Sequence, residues 1–235
     1  MKKPVFYTEL CYVLGIAIVA LGTALTAWGD LGISMVVAPA YVLHLKMSQL
    51  MPWFTFGVAE YVLQGFILLL MICILRKVKF TYFLSFLTAV YYGLVLDGGS
   101  ALLALLPAPG MGARLIAYIG GDLAICAGVA LVFHTYIPPE AYEMIVMELS
   151  KKLHIKLHTC KTAYDCVSLV VAVAMSLLFL GSLQGVGVGT VVCAFINGSL
   201  IGLFSKLFER IWKFEDMFDL RRKIEEGEEK NEQKI

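Results

Sequence analysis

Residues 89–105 read AVYYGLVLDGGSALLAL. The run is apolar apart from Asp97, which two glycines follow. It belongs to a stretch, about 81–106, long enough to cross a bilayer at 1.5 Å per helical residue. The chain around it has the same character. Of 235 residues, 60% are hydrophobic and 16% charged, against roughly 45–50% apolar and about 25% charged in soluble domains. Mean hydropathy is +0.81. An all-α, polytopic membrane protein follows.

Six segments are long and apolar enough to span: about 9–28, 53–75, 81–106, 113–136, 162–183 and 188–208. The basic N-terminus leads into the first span without an A-x-A cleavage site, so it reads as a span and not a signal peptide. Two intervening pieces do not span. Residues 31–47 contain Pro39, His44 and Lys46, and residues 137–151 contain Glu140, Glu143 and Glu148. Both are expected to be short helices lying at the interface or re-entering the membrane. With six crossings, all of the 19 Lys and Arg except Lys46 and Arg114 fall on the side of the termini, which the positive-inside rule makes cytoplasmic. Beyond the last span, Leu207, Phe208, Ile211, Phe214 and Phe218 recur at helical spacing. Residues 209–235 therefore read as a cytoplasmic amphipathic helix and a polar tail.

The halves resemble each other at an offset of about 105, a sign of internal duplication. Gly22-Thr-Ala-Leu25 matches Gly128-Val-Ala-Leu131; Glu60 matches Asp165; Ser85 and Gly93 match Thr190 and Gly198. An odd number of spans per copy makes 9–106 and 113–208 inverted repeats, an architecture frequent in secondary transporters.

Four stretches also carry a family pattern: LGISMVVAPAYVL (31–43), YYGLVLDGG (91–99), PPEAYEMIVMELSKKLHIKLHTCKTAYD (138–165) and GSLQGVGVGTVVCAFINGSLIGLF (181–204). Together they resemble the YczE/YyaS/YitT-like bacterial membrane proteins. The matching positions are Leu31, Gly32 and Ser34; Asp97; Lys161 and Asp165; and Gly185, Gly187, Gly189 and Thr190. Met35 departs from the proline common there. The resemblance implies a multi-pass protein of the bacterial cytoplasmic membrane and carries over no activity.

Acids inside spans cost about 2.5–3.5 kcal/mol at the bilayer centre, so they face protein or water. Glu60, Asp97 and Asp122 each lie roughly 10–14 Å below the outer end of their spans by helical rise. One outward-facing acidic cavity is the expectation, binding a small solute, with proton or cation coupling. The alternative is that each acid caps a helix break or bonds a neighbouring backbone group, and Gly98-Gly99 after Asp97 and Gly120-Gly121 before Asp122 suit such breaks. Asn197, Gly187, Gly189 and Thr190 are further binding candidates, since the glycines serve either close helix approach or an unwound anion-binding turn. Lys161 and Asp165, spaced i,i+4, form a boundary ion pair or gate.

The six cysteines lack CxxC spacing, and no metal or cofactor is expected. Without a catalytic triad order or HExxH, an enzyme is not expected. The net charge of +1 gives no footprint for nucleic acid. The reading is a secondary transporter or exporter of a small solute, in a bilayer, with a homo-oligomer possible. The alternative is a non-transporting membrane partner or assembly protein.

Overall fold

The computed structural model describes residues 3–218. After the short strand β1 (Val5–Tyr7) come helices α1 (Thr8–Gly29), α2 (Ala38–Met47), α3 (Phe56–Leu75), α4 (Phe80–Ala104), α5 (Met111–Val132), α6 (Ala141–Leu153), α7 (Leu157–Leu180) and α8 (Val188–Ile211). Strand β2 (Lys213–Glu215) follows. Six of the helices are long and apolar enough to cross a membrane: α1, α3, α4, α5, α7 and α8. Their count and order are those expected, although α5 ends at Val132 and α8 continues to Ile211.

The core is the antiparallel pair α1 and α5, and glycines set how close it is. A Cβ on Gly15 would lie 2.9 Å from the Gly128 carbonyl oxygen, and one on Gly128 would lie 2.7 Å from that of Gly15. Gly22 and Gly121 repeat the relation at 2.6 and 2.7 Å. On each helix the two glycines are one heptad apart, so they share a face. The contacts exchange as two copies of one patch would exchange them across a two-fold axis. Around this pair, α4 packs on α1 and α8 packs on α5.

The short helices are laid across the halves. Helix α2 packs on both α3 and α7, and α6 likewise packs on α7 and α3. The segment after α5 enters from the terminal face, and α6 returns to it. Its start meets Gln64, where Ala141 N–H donates to Gln64 Oε1 at 3.2 Å. Its far end meets the α3–α4 turn, where Glu148 pairs with Lys79 at 3.1 Å and Lys152 donates to the Ile74 carbonyl at 2.6 Å. Gln64 is about 16 Å of helical rise from the end of α3 at Leu75, so α6 begins near mid-depth. Val36, just before α2, packs against the cluster that contains Ile67, Tyr142 and Ile145. The segment entering α2 therefore lies against the cluster that holds the first turns of α6.

The termini lie together. Strands β1 and β2 pair in parallel, Val5 opposite Lys213. Glu9 accepts the backbone N–H groups of Met217, at 3.0 Å, and Phe218, at 3.1 Å, and the Tyr136 hydroxyl at 2.7 Å. The tail helix expected beyond Leu207 is thus replaced over 212–218. Leu207, Phe208 and Ile211 belong to α8; Trp212 turns extended, and Phe214 stacks on His134 with centroids 4.1 Å apart. The remainder of that expected segment, 219–235, lies outside the described residues.

Gly22→Ala is predicted to destabilise the detergent-solubilised protein by about 1–3 kcal/mol, because the methyl group forces the two backbones apart. Gly98, exposed with nothing within 4 Å of its Cβ direction, is the control. Its change to Ala is predicted to be neutral or stabilising by about 0.5–1 kcal/mol. Thermal unfolding of the two variants checks the pair.

Candidate functional site

Acid placement separates the expected site residues into different roles. Asp97, half-buried on α4, accepts the Thr55 hydroxyl at 2.7 Å and the Gly57 N–H at 2.7 Å. Thr55 is the N-cap of α3, and its side-chain oxygen also accepts the Val58 N–H at 3.2 Å. The carboxylate thus satisfies orphan donors at a helix N-terminus, where the dipole favours negative charge. The two glycines after it do not break the helix, which runs on to Ala104.

Asp122 belongs to a different seam, between α5 and α8. It accepts the Asn197 amide at 2.9 Å and the Cys193 thiol at 3.0 Å. Tyr118 completes the seam with a 2.7 Å hydrogen bond to the Gly189 carbonyl. Asp122 and Asn197 are therefore brought together, while Glu60, Asp97 and Asp122 share no hydrogen-bond partner among the described residues.

Two N–H groups of the glycine-rich stretch, those of Gly187 and Gly189, are taken by the protein itself. Gly189 N–H donates to the Leu31 carbonyl at 2.9 Å, and Gly187 N–H to Thr190 Oγ1 at 3.2 Å. Ile33 N–H reaches the carbonyl of Gly185, whose φ of +76° suits glycine. A Cβ on Gly187 would fall 2.5 Å from the Leu31 oxygen. LGI (31–33) and GVGVGT (185–190) form one backbone clamp joining the ends of α1 and α8, which is the close-approach reading of those glycines.

The densest buried polar cluster lies instead among α3, α6 and α7. Glu60 and Gln64, one helical turn apart on α3, are both fully buried. Gln64 Nε2 donates to Glu60 Oε2 at 3.2 Å and to Glu140 Oε2 at 2.9 Å. The Tyr142 hydroxyl adds a 2.7 Å hydrogen bond to Glu60 Oε2. Glu60 Oε1 is buried with no hydrogen-bond partner among the described residues. Beside this group, Lys161 on α7 lies 3.2 Å from Asp165, as the i,i+4 spacing implies, and 3.5 Å from Glu143 on α6. The turn that leads into α6 is fixed by α4: Ser85 donates to the Pro139 carbonyl at 2.7 Å and Thr88 to that of Pro138 at 3.2 Å.

Glu140, at the N-cap of α6, is buried next to two other acids. Burial first, then Glu143 and Glu60, hold its carboxyl well above the ordinary carboxylate range. Gln64, Glu140, Tyr142 and Glu143 were not among the expected site residues. The spacing of Glu60 and Gln64 was the available signal. Among the described residues no group of His, Cys, Asp or Glu is arranged to hold a metal ion.

These features define a helical membrane protein of six apolar spans with two short helices packed between its halves. The chain belongs to the family of unknown function DUF6198, whose model matches residues 6–206. That family covers most of the chain and is, like the resemblance drawn from the four stretches, one without an assigned activity; it does not carry the YczE-like name. No curated protein and no solved structure matches.

Two outcomes follow from the geometry. Asp97→Ala is predicted to lose about 1–3 kcal/mol of stability, since the half-buried Thr55 hydroxyl and the buried Gly57 N–H lose their acceptor; thermal unfolding measures it. Because folding raises the Glu140 value, the folded state binds more protons than the unfolded one above the ordinary range near pH 4.3. Stability attributable to this group therefore falls as pH rises from there to its folded value, by up to about 1.4 kcal/mol per pH unit. Glu140→Gln should remove that component from the pH dependence of unfolding.

Proposed function

We propose that this protein is a secondary transporter of a small solute, and that its two halves are inverted repeats which open a site between them to each membrane face in turn. The observation that carries the reading is the convergence of Glu60 from one half and Glu140 from the other on a single buried amide, at the N-terminus of a helix that begins near mid-depth. Acids buried at membrane depth are retained where they bind solutes or ions. Helices that begin inside the membrane are a recurring element of transporter binding sites. Reciprocal glycine contacts between α1 and α5, and the exchange of α2 and α6 between halves, support the repeat. In this reading the termini are cytoplasmic, in a bacterial inner membrane, because Lys and Arg concentrate on their side.

The site moves accordingly. The expected outward-facing cavity lined by Asp97, Glu60 and Asp122 becomes, in this reading, a cluster of Glu60, Glu140 and their neighbours near mid-depth. Asp97 and Asp122 hold helices together. A role as a membrane partner or homo-oligomer is favoured by one observation, the exposed GSLIG (198–202) face of α8, where Gly198 and Gly202 have open space beside them.

A thermal-shift screen of small metabolites and cations on the purified protein, followed by counterflow of labelled hits in proteoliposomes, tests transport. The expected result is at least one stabilising solute that is also exchanged, since saturation at 100 times Kd adds about 2.7 kcal/mol. Glu60→Gln should abolish exchange while the protein stays folded. Hits that bind without any counterflow would favour the partner role.

A further inference from the structure

Glu60 and Glu140 take both hydrogens of one amide, that of Gln64. An amide can satisfy two acceptors, but its partial charges cannot neutralise two anions. Glu60 Oε1, in a side chain with no exposed surface, has no hydrogen-bond partner among the described residues. That oxygen lacks the donors that a dry carboxylate requires.

Among the described residues the surroundings add no free cation. Lys161 on α7 is within electrostatic reach of Glu140 but lies against Glu143 and Asp165. The other titratable groups facing the pair are phenols. Tyr12 on α1 and Tyr92 on α4 face Glu140, and Tyr92 faces Glu60 as well. Tyr142 on α6 and Tyr164 on α7 face Glu60. Three acids, Glu140, Glu143 and Asp165, therefore share a single ammonium group, and Glu60 lies beside Glu140 and Glu143. Two like charges forced together in a low-dielectric seam cannot both ionise, so a proton resides on one of them.

We infer that Glu60 and Glu140 form one proton-holding unit bridged by Gln64, and that the proton held there exchanges for a single monovalent cation, of which a primary ammonium is the representative. The exchange half of this inference rests on the transport reading above; the shared proton does not. The step balances. The O–H bond of the carboxylic acid breaks, the proton leaves to water, and the carboxylate left behind pairs with the incoming cation. One positive charge replaces another, so the exchange is electroneutral. Helix α6 fits this role because its N-terminal end stabilises the carboxylate form at Glu140 when the proton departs.

The test uses the full-length protein in lipid nanodiscs and in liposomes. Infrared difference spectra between about pH 5 and about pH 9 follow the carbonyl stretch of protonated carboxyls, which free carboxylates lose near pH 4. The expected wild-type result is a protonated-carboxyl band persisting above that range, titrating as one proton per chain, and discharged when methylammonium is added at fixed pH. Glu60→Gln and Glu140→Gln should each remove it, and Asp122→Asn should retain it. Should the Gln variants fail to fold, Glu60→Asp and Glu140→Asp should instead shift the band. Absence of the band in folded wild-type protein, or its persistence in both Gln variants, overturns the shared proton. In liposomes loaded with a pH dye, a methylammonium gradient should move protons the opposite way without a change in membrane potential. A band that titrates while no proton moves overturns the exchange and leaves the proton-holding pair standing.

Discussion

The contact on which the rest depends is the approach of α1 to α5 at Gly15, Gly128, Gly22 and Gly121. Lipid tails are as apolar as leucine, so helices in a membrane associate through packing and not through the hydrophobic effect. Bare glycine faces let two backbones meet, and dispersion over a long seam then holds them. Once that seam is set, α4 and α8 take places beside it, and α3 and α7 stand farther out with the short helices between them. The polar interior is a consequence. Short helices that begin inside the membrane bring backbone donors and acceptors with them, and these must be met from the spans. Ser85, Thr88 and Gln64 do this for the turn before α6.

Two kinds of acid result. Asp97 and Asp122 are matched to donors on neighbouring helices, and each holds one seam closed. Glu60 and Glu140 share the Gln64 amide, Tyr142 also donates to Glu60 Oε2, and Glu60 Oε1 has no hydrogen-bond partner among the described residues. A satisfied carboxylate is a structural part. An under-satisfied pair of acids in a dry interior is where perturbed titration is expected, which is why the proposed function attaches to Glu60 and Glu140.

Much of the fold was legible in the sequence because a bilayer fixes the length of its spans. The six spans, the two short pieces and the Lys161–Asp165 pair follow from length, proline and charge placement, and helical spacing. Which acids meet was not legible. Helical rise places Glu60, Asp97 and Asp122 at similar depth, but depth says nothing of which side of a helix faces which neighbour. Asp97 faces the start of α3, Asp122 faces α8, and Glu60 faces α6. Glu140 was hidden for another reason: a short helix carrying three acids looks interfacial, whereas its first turn is buried. The tail shows tertiary pairing overriding pattern, since the periodicity through Ile211 continues α8 and Phe214 then serves a strand and a ring stack.

The central claim is that the seam between the halves is reached from both faces of the membrane. Val36 sits where the entry to α2 meets the α6 cluster. A Val36→Cys variant, with the six native cysteines replaced, can be reacted in oriented vesicles with a membrane-impermeant thiol reagent applied to one side at a time. The account predicts modification from each side, with the balance shifting when the pH on one side changes. Modification from a single side under every condition, in a folded protein, would contradict it.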